Sequence, residues 1–391
     1  MIDYEKVLTS SVQSIKPSGI RKYFDVVNEL DDAISLGVGE PDFITPWAIR
    51  EAGIYSLERG RTYYTSNAGL PALREEISNY NKRKFDMEYD PLKEIMVTVG
   101  GSEAIDLMIR CVVNPGDEVL IPEPCFVCYK PCTLMAGGVP VTIETKEEDS
   151  FRLLPEQLKE KITDKTKLLI LPYPNNPTGG VMSRSDLEAI AKVLKDTNIL
   201  VLSDEIYGEL IYNDEGHTPF SKIDGMRDRT VIVNGFSKTF AMTGWRLGYA
   251  LGPEPIIKQM LKLHQFGIMS APTTSQYAAI EALKSCDDDV RQMRTEYNYR
   301  RRVIVDGFRN MGLSCFEPYG AFYVFPCIKS LGMTSDEFCT KLIEEEHVAV
   351  VPGTAFGECG EGFIRCSYAY SVEQITKALE RIEKFVNNHR K

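Results

Sequence analysis

No stretch of the sequence approaches the ~18 uninterrupted apolar residues of a membrane span, and the opening MIDYEKVLTSSVQSIKPSG has no apolar core of signal-peptide length. A cytoplasmic protein with no membrane partner is expected. Excess positive charge is also missing: 45 Lys and Arg stand against 56 Asp and Glu, a formal charge of −11. That balance argues against a nucleic-acid partner. The one compact basic run, Arg300-Arg301-Arg302, has Glu296 and Asp306 nearby and reads as a solvated helix face. Histidine is scarce, and His217, His264, His347 and His389 are isolated along the chain. Cys125, Cys128 and Cys132 have a spacing compatible with zinc or an iron–sulfur cluster, yet no second Cys/His pair follows, so structural thiols and no metal are expected. The ten cysteines read as reduced thiols. Repeats, low-complexity blocks and long linkers are absent too, so domains must be interleaved.

What the sequence does have is alternation. From about residue 95, short apolar runs (EIMVTV, DEVLIP, VPVTI, TKLLILPYP, NILVLSDE, TVIVNGF, WRLGYALG) alternate with helical stretches. Near-continuous apolar runs suit strands covered by helices on both faces, as in a largely parallel sheet. An α/β core over roughly 46–280 follows. Ser183 with Asp186 resembles a capping box, and Asn114-Pro115-Gly116-Asp117 stops the helix that begins after Gly101. Beyond residue 288 come a long helix, glycine-punctuated strands (GAFYVFPCI, HVAVVPG, GFIRCSYA) and a last helix. That helix is capped by Ser371 and Gln374, with Ile375, Ala378, Leu379, Ile382, Phe385 and Val386 on one face. This part reads as α+β.

Nucleotide motifs are wanting. There is no G-x-x-x-x-G-K-[ST] segment, and Gly37-Val38-Gly39 is followed by Asp42 where a dinucleotide fingerprint needs glycine. The stronger candidate is VTVGGSEAIDLMI, a strand running through Gly100-Gly101-Ser102 into a helix. Free helix amides and a hydroxyl there make an anion cradle, or simply a tight turn. In GFSKTFAMTGWRLGY, Lys238 follows a strand among small and hydroxyl neighbours, where a partly desolvated amine can attack a carbonyl. Arg246 begins the next apolar strand, where it needs an anion such as phosphate. In NILVLSDEIYGELIY, Asp204 reaches the sheet edge as a partner for a protonated ring nitrogen or as a helix N-cap, with Tyr207 beyond it. LPYPNNPTGG presents an asparagine amide, Asn175 or Asn176, on a rigid turn. Arg365, mid-strand in GFIRCSYAY, wants a carboxylate.

Together these residues resemble the class I/II aminotransferases from GVGEPDFITP to the C-terminal helix. The resemblance implies the pyridoxal-phosphate-dependent transferase fold type I. That means a large domain, 46–287, with a mostly parallel seven-stranded sheet, and a smaller discontinuous α+β domain of 1–45 and 288–391. It implies pyridoxal 5′-phosphate as cofactor and Lys238 as the Schiff-base lysine and proton shuttle. Asp204 pairs with the pyridinium nitrogen, and Asn176 and Tyr207 bond the ring's 3-oxygen. Gly101, Ser102, Ser237 and Arg246 cradle the phosphate, and Phe126 stacks on the ring where relatives have Trp or Tyr. Arg365 clamps the substrate α-carboxylate with the Gly39 backbone close by. Tyr64 in YYTSNAG reaches the neighbouring subunit's phosphate, so a homodimer with shared active sites is implied. The expected reaction moves an amino group from an L-amino acid to a 2-oxo acid, very often 2-oxoglutarate. A cysteine-S-conjugate β-lyase on the same fold is the alternative, and a non-enzymatic regulator lacks room for a DNA-binding domain. Ser102 stands where many aspartate-using relatives have lysine. KPSGIRKYFD and VGEPDF are similar to a bacterial branch with N-acetyl-diaminopimelate, aromatic and broad-range aminotransferases.

Overall fold

The computed structural model describes residues 2–17, 19 and 32–390, so most of KPSGIRKYFD lies outside the described residues. The first strands are β1 (Ile34–Ser35), β2 (Ile95–Thr98), β3 (Glu118–Glu123), β4 (Val139–Glu144), β5 (Thr166–Leu171) and β6 (Leu200–Asp204). They are followed by β7 (Thr230–Gly235), β8 (Gly248–Leu251), β9 (Tyr323–Val324), β10 (Val348–Ala349), β11 (Val351–Pro352) and β12 (Ile364–Ser367). Each apolar run from 95 to 251 becomes one strand of a seven-stranded sheet, in the order β2-β8-β7-β6-β5-β3-β4. All neighbouring pairs are parallel except those of β8, which runs antiparallel to both β2 and β7.

The continuous runs have a packing cause. Side chains alternate across a strand, and in β5 Leu168 and Ile170 join one apolar cluster while Leu169 and Leu171 join another. Both faces are covered, so neither set can be polar. The covering helix Arg184–Leu194 begins at the expected capping box, with Asp186 N–H donating to Ser183 Oγ at 3.2 Å and Ser183 N–H to the Asp186 carboxylate at 2.9 Å. The helix after β2 starts at Gly100 itself and ends at Val112.

The C-terminal part is α+β, as read. β11, β12 and β9 form an antiparallel sheet, while β10 pairs in parallel with β1, so HVAVVPG is shared between two sheets. The last helix, Val372–His389, is capped by Ser371 Oγ accepting from Gln374 N–H at 3.2 Å, and it buries the six apolar residues expected of it. One apolar cluster runs unbroken from Val97 and Tyr249 to Phe322, Ile364 and Ile382, so the core is continuous across residue 287.

The basic run is a correction. Arg300 and Arg301 are buried. Arg300 grips both Asp42 oxygens at 2.8 and 2.9 Å and lies 5.0 Å from the Phe43 ring centre, while Arg301 pairs with Glu317. Paired guanidinium groups tolerate burial, and the acidic partners come from remote segments that local sequence does not show. Nor are the histidines isolated in space: His217, His264, His347 and His389 meet Glu205, Glu103, Asp32 and Glu345. Among the described residues no group of three or more His, Cys, Asp or Glu is placed to hold a metal ion, and no helix is long and apolar enough to cross a membrane.

Candidate active site

A cavity of 320 Å³ opens at the C-terminal edge of the parallel strands. Gly39, Gly101, Ser102, Phe126, Asn176, Asp204, Tyr207, Ser237, Lys238, Arg246 and Arg365 all line it. The topology explains the convergence. β2, β3, β5, β6 and β7 end there and deliver Gly101 and Ser102, Phe126, Asn176, Asp204 and Lys238 in turn, while the antiparallel β8 begins there and brings Arg246.

Lys238 sits on the short helix Phe236–Thr239, and its Nζ donates to the Gly39 carbonyl at 2.6 Å. Burial above all lowers its pKa to about 8; Glu40 opposes the shift, and the Arg365 and Arg246 cations add to it. Gly39 has to be glycine for a steric reason, because a Cβ there would meet the Tyr323 hydroxyl.

Asp204, the last residue of β6, is buried. Its Oδ2 accepts from the Tyr129 hydroxyl at 2.6 Å, and its Oδ1 from the Ile206 N–H at 3.3 Å. Burial raises its pKa to about 6, and those two donors hold it from rising further. The Tyr207 and Tyr323 hydroxyls lie 3.0 Å apart, and burial pushes the Tyr207 phenol well up, so it stays a donor at neutral pH.

Arg365, on β12, is buried between the rings of Tyr323 and Phe356, at 4.6 and 4.7 Å. It donates to Asn176 Oδ1 at 3.1 Å and to the Gly37 carbonyl. No carboxylate pairs with it among the described residues, and its buried Nε has no hydrogen-bond partner. Asn175 builds the turn, its Oδ1 accepting from Thr178 N–H and Oγ1 at 3.2 and 2.9 Å, which leaves Asn176 to face the cavity.

At the far end the helix Gly100–Val112 starts without a side-chain cap, so its first amides, which lack intrahelical acceptors, receive none from the preceding side chain. Gly100 has φ +77°, and a Cβ on it would come within 2.7 Å of the Arg246 guanidinium. Arg246 departs from the sequence reading. It precedes β8 rather than beginning it, and it is exposed. Burial is therefore not the reason it needs an anion; its place beside an uncapped helix start is.

Tyr64 is the one expected site residue outside the cavity, at 77% exposed. Sequence reasoning missed Tyr129, Tyr323 and Thr243, which also line the cavity. The signal for Tyr129 lay in PCFVCY, three residues after Phe126. Cys125 and Cys132 are buried and Cys128 is half-buried, and none of these three forms a disulfide.

The family model for aminotransferase class I and II matches residues 31–382. An aspartate aminotransferase of Pyrococcus abyssi is 46% identical over 379 residues, 96% of this chain and 97% of that protein. The aromatic aminotransferase structure from Pyrococcus horikoshii superposes with a TM-score of 0.90 at 45% identity, covering 94% of this chain and 99% of that one. The Thermus thermophilus aspartate aminotransferase with maleate gives 0.92 at 38% identity, covering 96% and 99%.

Proposed function

The chain belongs to the class I and II aminotransferases, pyridoxal-phosphate-dependent transaminases of fold type I, and from that premise we propose that it moves the amino group of an L-amino acid to 2-oxoglutarate as a cytoplasmic homodimer with shared active sites. One observation carries the reading: Lys238 with its lowered pKa, buried Asp204, and Arg365 without a carboxylate face one cavity.

Pyridoxal phosphate, when bound, supplies an aldehyde that takes up the amine and a protonated ring that draws electrons from the substrate's Cα. The residues present fit it. The uncapped helix start at Gly101 and Ser102, with Ser237 and Arg246, suits a phosphate. With the group bound, ionised Asp204 would hold the proton on the ring nitrogen, Asn176 and Tyr207 would donate to the 3-oxygen, and Phe126 would stand beside the ring. Arg365 would fix the α-carboxylate through its guanidinium, which has no carboxylate partner among the described residues. Lys238, its pKa lowered to about 8, would be the base that takes the substrate Cα proton and the acid that returns a proton at C4′.

Lys238, Arg246 and Arg365 are the cations lining the cavity among the described residues; Arg246 is taken by the phosphate, Arg365 by the α-carboxylate and Lys238 by the aldehyde. Aromatic Phe126, Tyr129 and Tyr323 make up much of the remaining wall. That wall supports aromatic or neutral donors. The dimer is supported by exposed Tyr63, Tyr64, Phe266, Ile268 and Met269 on adjoining segments, which are tied by Asn67 Nδ2 donating to the Met269 carbonyl at 2.8 Å and Thr273 Oγ1 to the Tyr63 carbonyl at 2.7 Å. Cys125, Cys128 and Cys132, close in sequence yet not joined in a disulfide, support a reducing compartment. Division into 46–287 and 1–45 with 288–391 belongs to the same proposal, supported by the helix that starts at Asp287 and by the β1–β10 pairing.

Product analysis with an amino-donor panel and 2-oxoglutarate tests the function. Glutamate and a keto acid in equal amounts, formed fastest from aromatic or neutral donors, is the expected result. Pyruvate with ammonia would replace it with the lyase.

A further inference from the structure

Val99 precedes the helix Gly100–Val112 and has no side chain able to cap it. Its N–H donates to Glu103 Oε2 at 2.5 Å. The other oxygen, Glu103 Oε1, lies 2.7 Å from His264 Nδ1. A carboxylate only accepts, so the ring nitrogen is the donor. His264 sits on the helix Glu254–Gly267, completely buried, and its Nε2 has no hydrogen-bond partner among the described residues. An unpaired buried nitrogen is unfavourable, yet the fold keeps it there with Nδ1 aimed at Glu103.

The location explains why that arrangement matters. Glu103 directly follows Ser102, which lines the cavity beside Gly101. A carboxylate in the first turn of a helix is attracted to the same free amides that attract a phosphate. An unrestrained Glu103, in the first turn and next to Ser102, is therefore a competing anion, and it would also repel a bound phosphate.

We infer that His264 and the Val99 amide hold the Glu103 carboxylate away from the Gly100–Ser102 amides, keeping that helix start open for the phosphate of the cofactor. His264 is thus a positioning residue that acts through Glu103 rather than by touching the cofactor. The inference rests on the reading of Gly101 and Ser102 as the phosphate cradle.

The test compares the affinities of the cofactor-free protein for pyridoxal phosphate and for pyridoxal, which lacks the phosphate. His264→Leu should lower the preference for the phosphorylated form about fivefold, the effect of one unfavourable charge at a helix N-terminus, with pyridoxal affinity nearly unchanged. His264→Gln, which keeps a donor, should restore the preference. So should His264→Leu combined with Glu103→Gln, which removes the competing charge. An unchanged preference in His264→Leu, or no recovery in the double variant, would overturn the inference and leave the pair as helix packing. If His264→Leu does not fold, Glu103→Gln alone decides: a preference at or above wild type supports the inference, and a fall overturns it. A wild-type protein with no preference for the phosphorylated form would instead overturn the cradle reading itself.

Discussion

The Tyr129 hydroxyl donates to Asp204 Oδ2 at 2.6 Å inside the cavity wall. It is one of the two donors that keep a buried carboxyl from rising beyond a pKa of about 6. On the proposed reading an ionised Asp204 is what the protonated ring nitrogen needs, so this bond would set the acid side of cofactor binding.

Tyr129→Phe should therefore move the acid limb of pyridoxal-phosphate binding upward. Wild-type affinity is expected to fall as pH drops through about 6, the pKa of Asp204 in the cofactor-free protein. Without the phenol the carboxyl protonates more easily, and the fall begins at higher pH. At neutral pH the loss should be about tenfold, from removal of a hydrogen bond to a charged group. A titration of cofactor fluorescence against pH checks it, and an unmoved limb counts against the role of Tyr129.

Lys238 has its own pH signature. Its amine titrates near 8 rather than at 10.5, so the rate at which cofactor-free protein captures pyridoxal phosphate should rise through about 8 and then level. Removing the Arg365 cation takes away part of the lowering, so Arg365→Met should shift that midpoint upward. Stopped-flow capture rates over pH measure both.

Arg365→Met should also separate function from stability. A buried guanidinium without a carboxylate contributes little to folding, whereas loss of a buried ionic contact to substrate costs about 2–5 kcal/mol. A fall in kcat/KM of about two orders of magnitude or more is expected, with Tm of the cofactor-free protein nearly unchanged. A collapsed Tm would make the arginine structural.

Gly39→Ala places a methyl against the Tyr323 hydroxyl and disturbs the carbonyl that accepts from Lys238. Cofactor capture should slow. Adding Tyr323→Phe removes the obstructing oxygen and should recover part of the rate; no recovery would show that the obstruction lies elsewhere.

Tyr64 tests the dimer. Tyr64→Phe should weaken cofactor retention, and dilution below the dimer's dissociation constant should do the same to wild type. Sedimentation with parallel activity assays would reveal a fully active monomer, which contradicts shared sites.

The residues legible in the sequence were those whose chemistry conflicts with their surroundings. Asp204 ends a strand of apolar side chains and Arg365 interrupts another, and a charge in such a place needs a partner. Because strands buried on both faces have no polar side, the seven-stranded sheet was readable as well. Tyrosine gives no such conflict. Tyr129 lies 75 residues from Asp204, and Tyr323 lies 116 from Tyr207, so only folding brings their hydroxyls into contact. Arg300 was misread for the same reason, with its partner Asp42 lying 258 residues away. Local charge pattern describes a helix face; it does not say what packs on it.

The most direct test of the account is the covalent position of the cofactor. Borohydride reduction of the pyridoxal-phosphate-loaded protein, followed by peptide mapping, should place the pyridoxyl group on Lys238 alone, and Lys238→Ala should carry none. A label on another lysine, or a Lys238→Ala protein that still transfers amino groups at the wild-type rate, would contradict it.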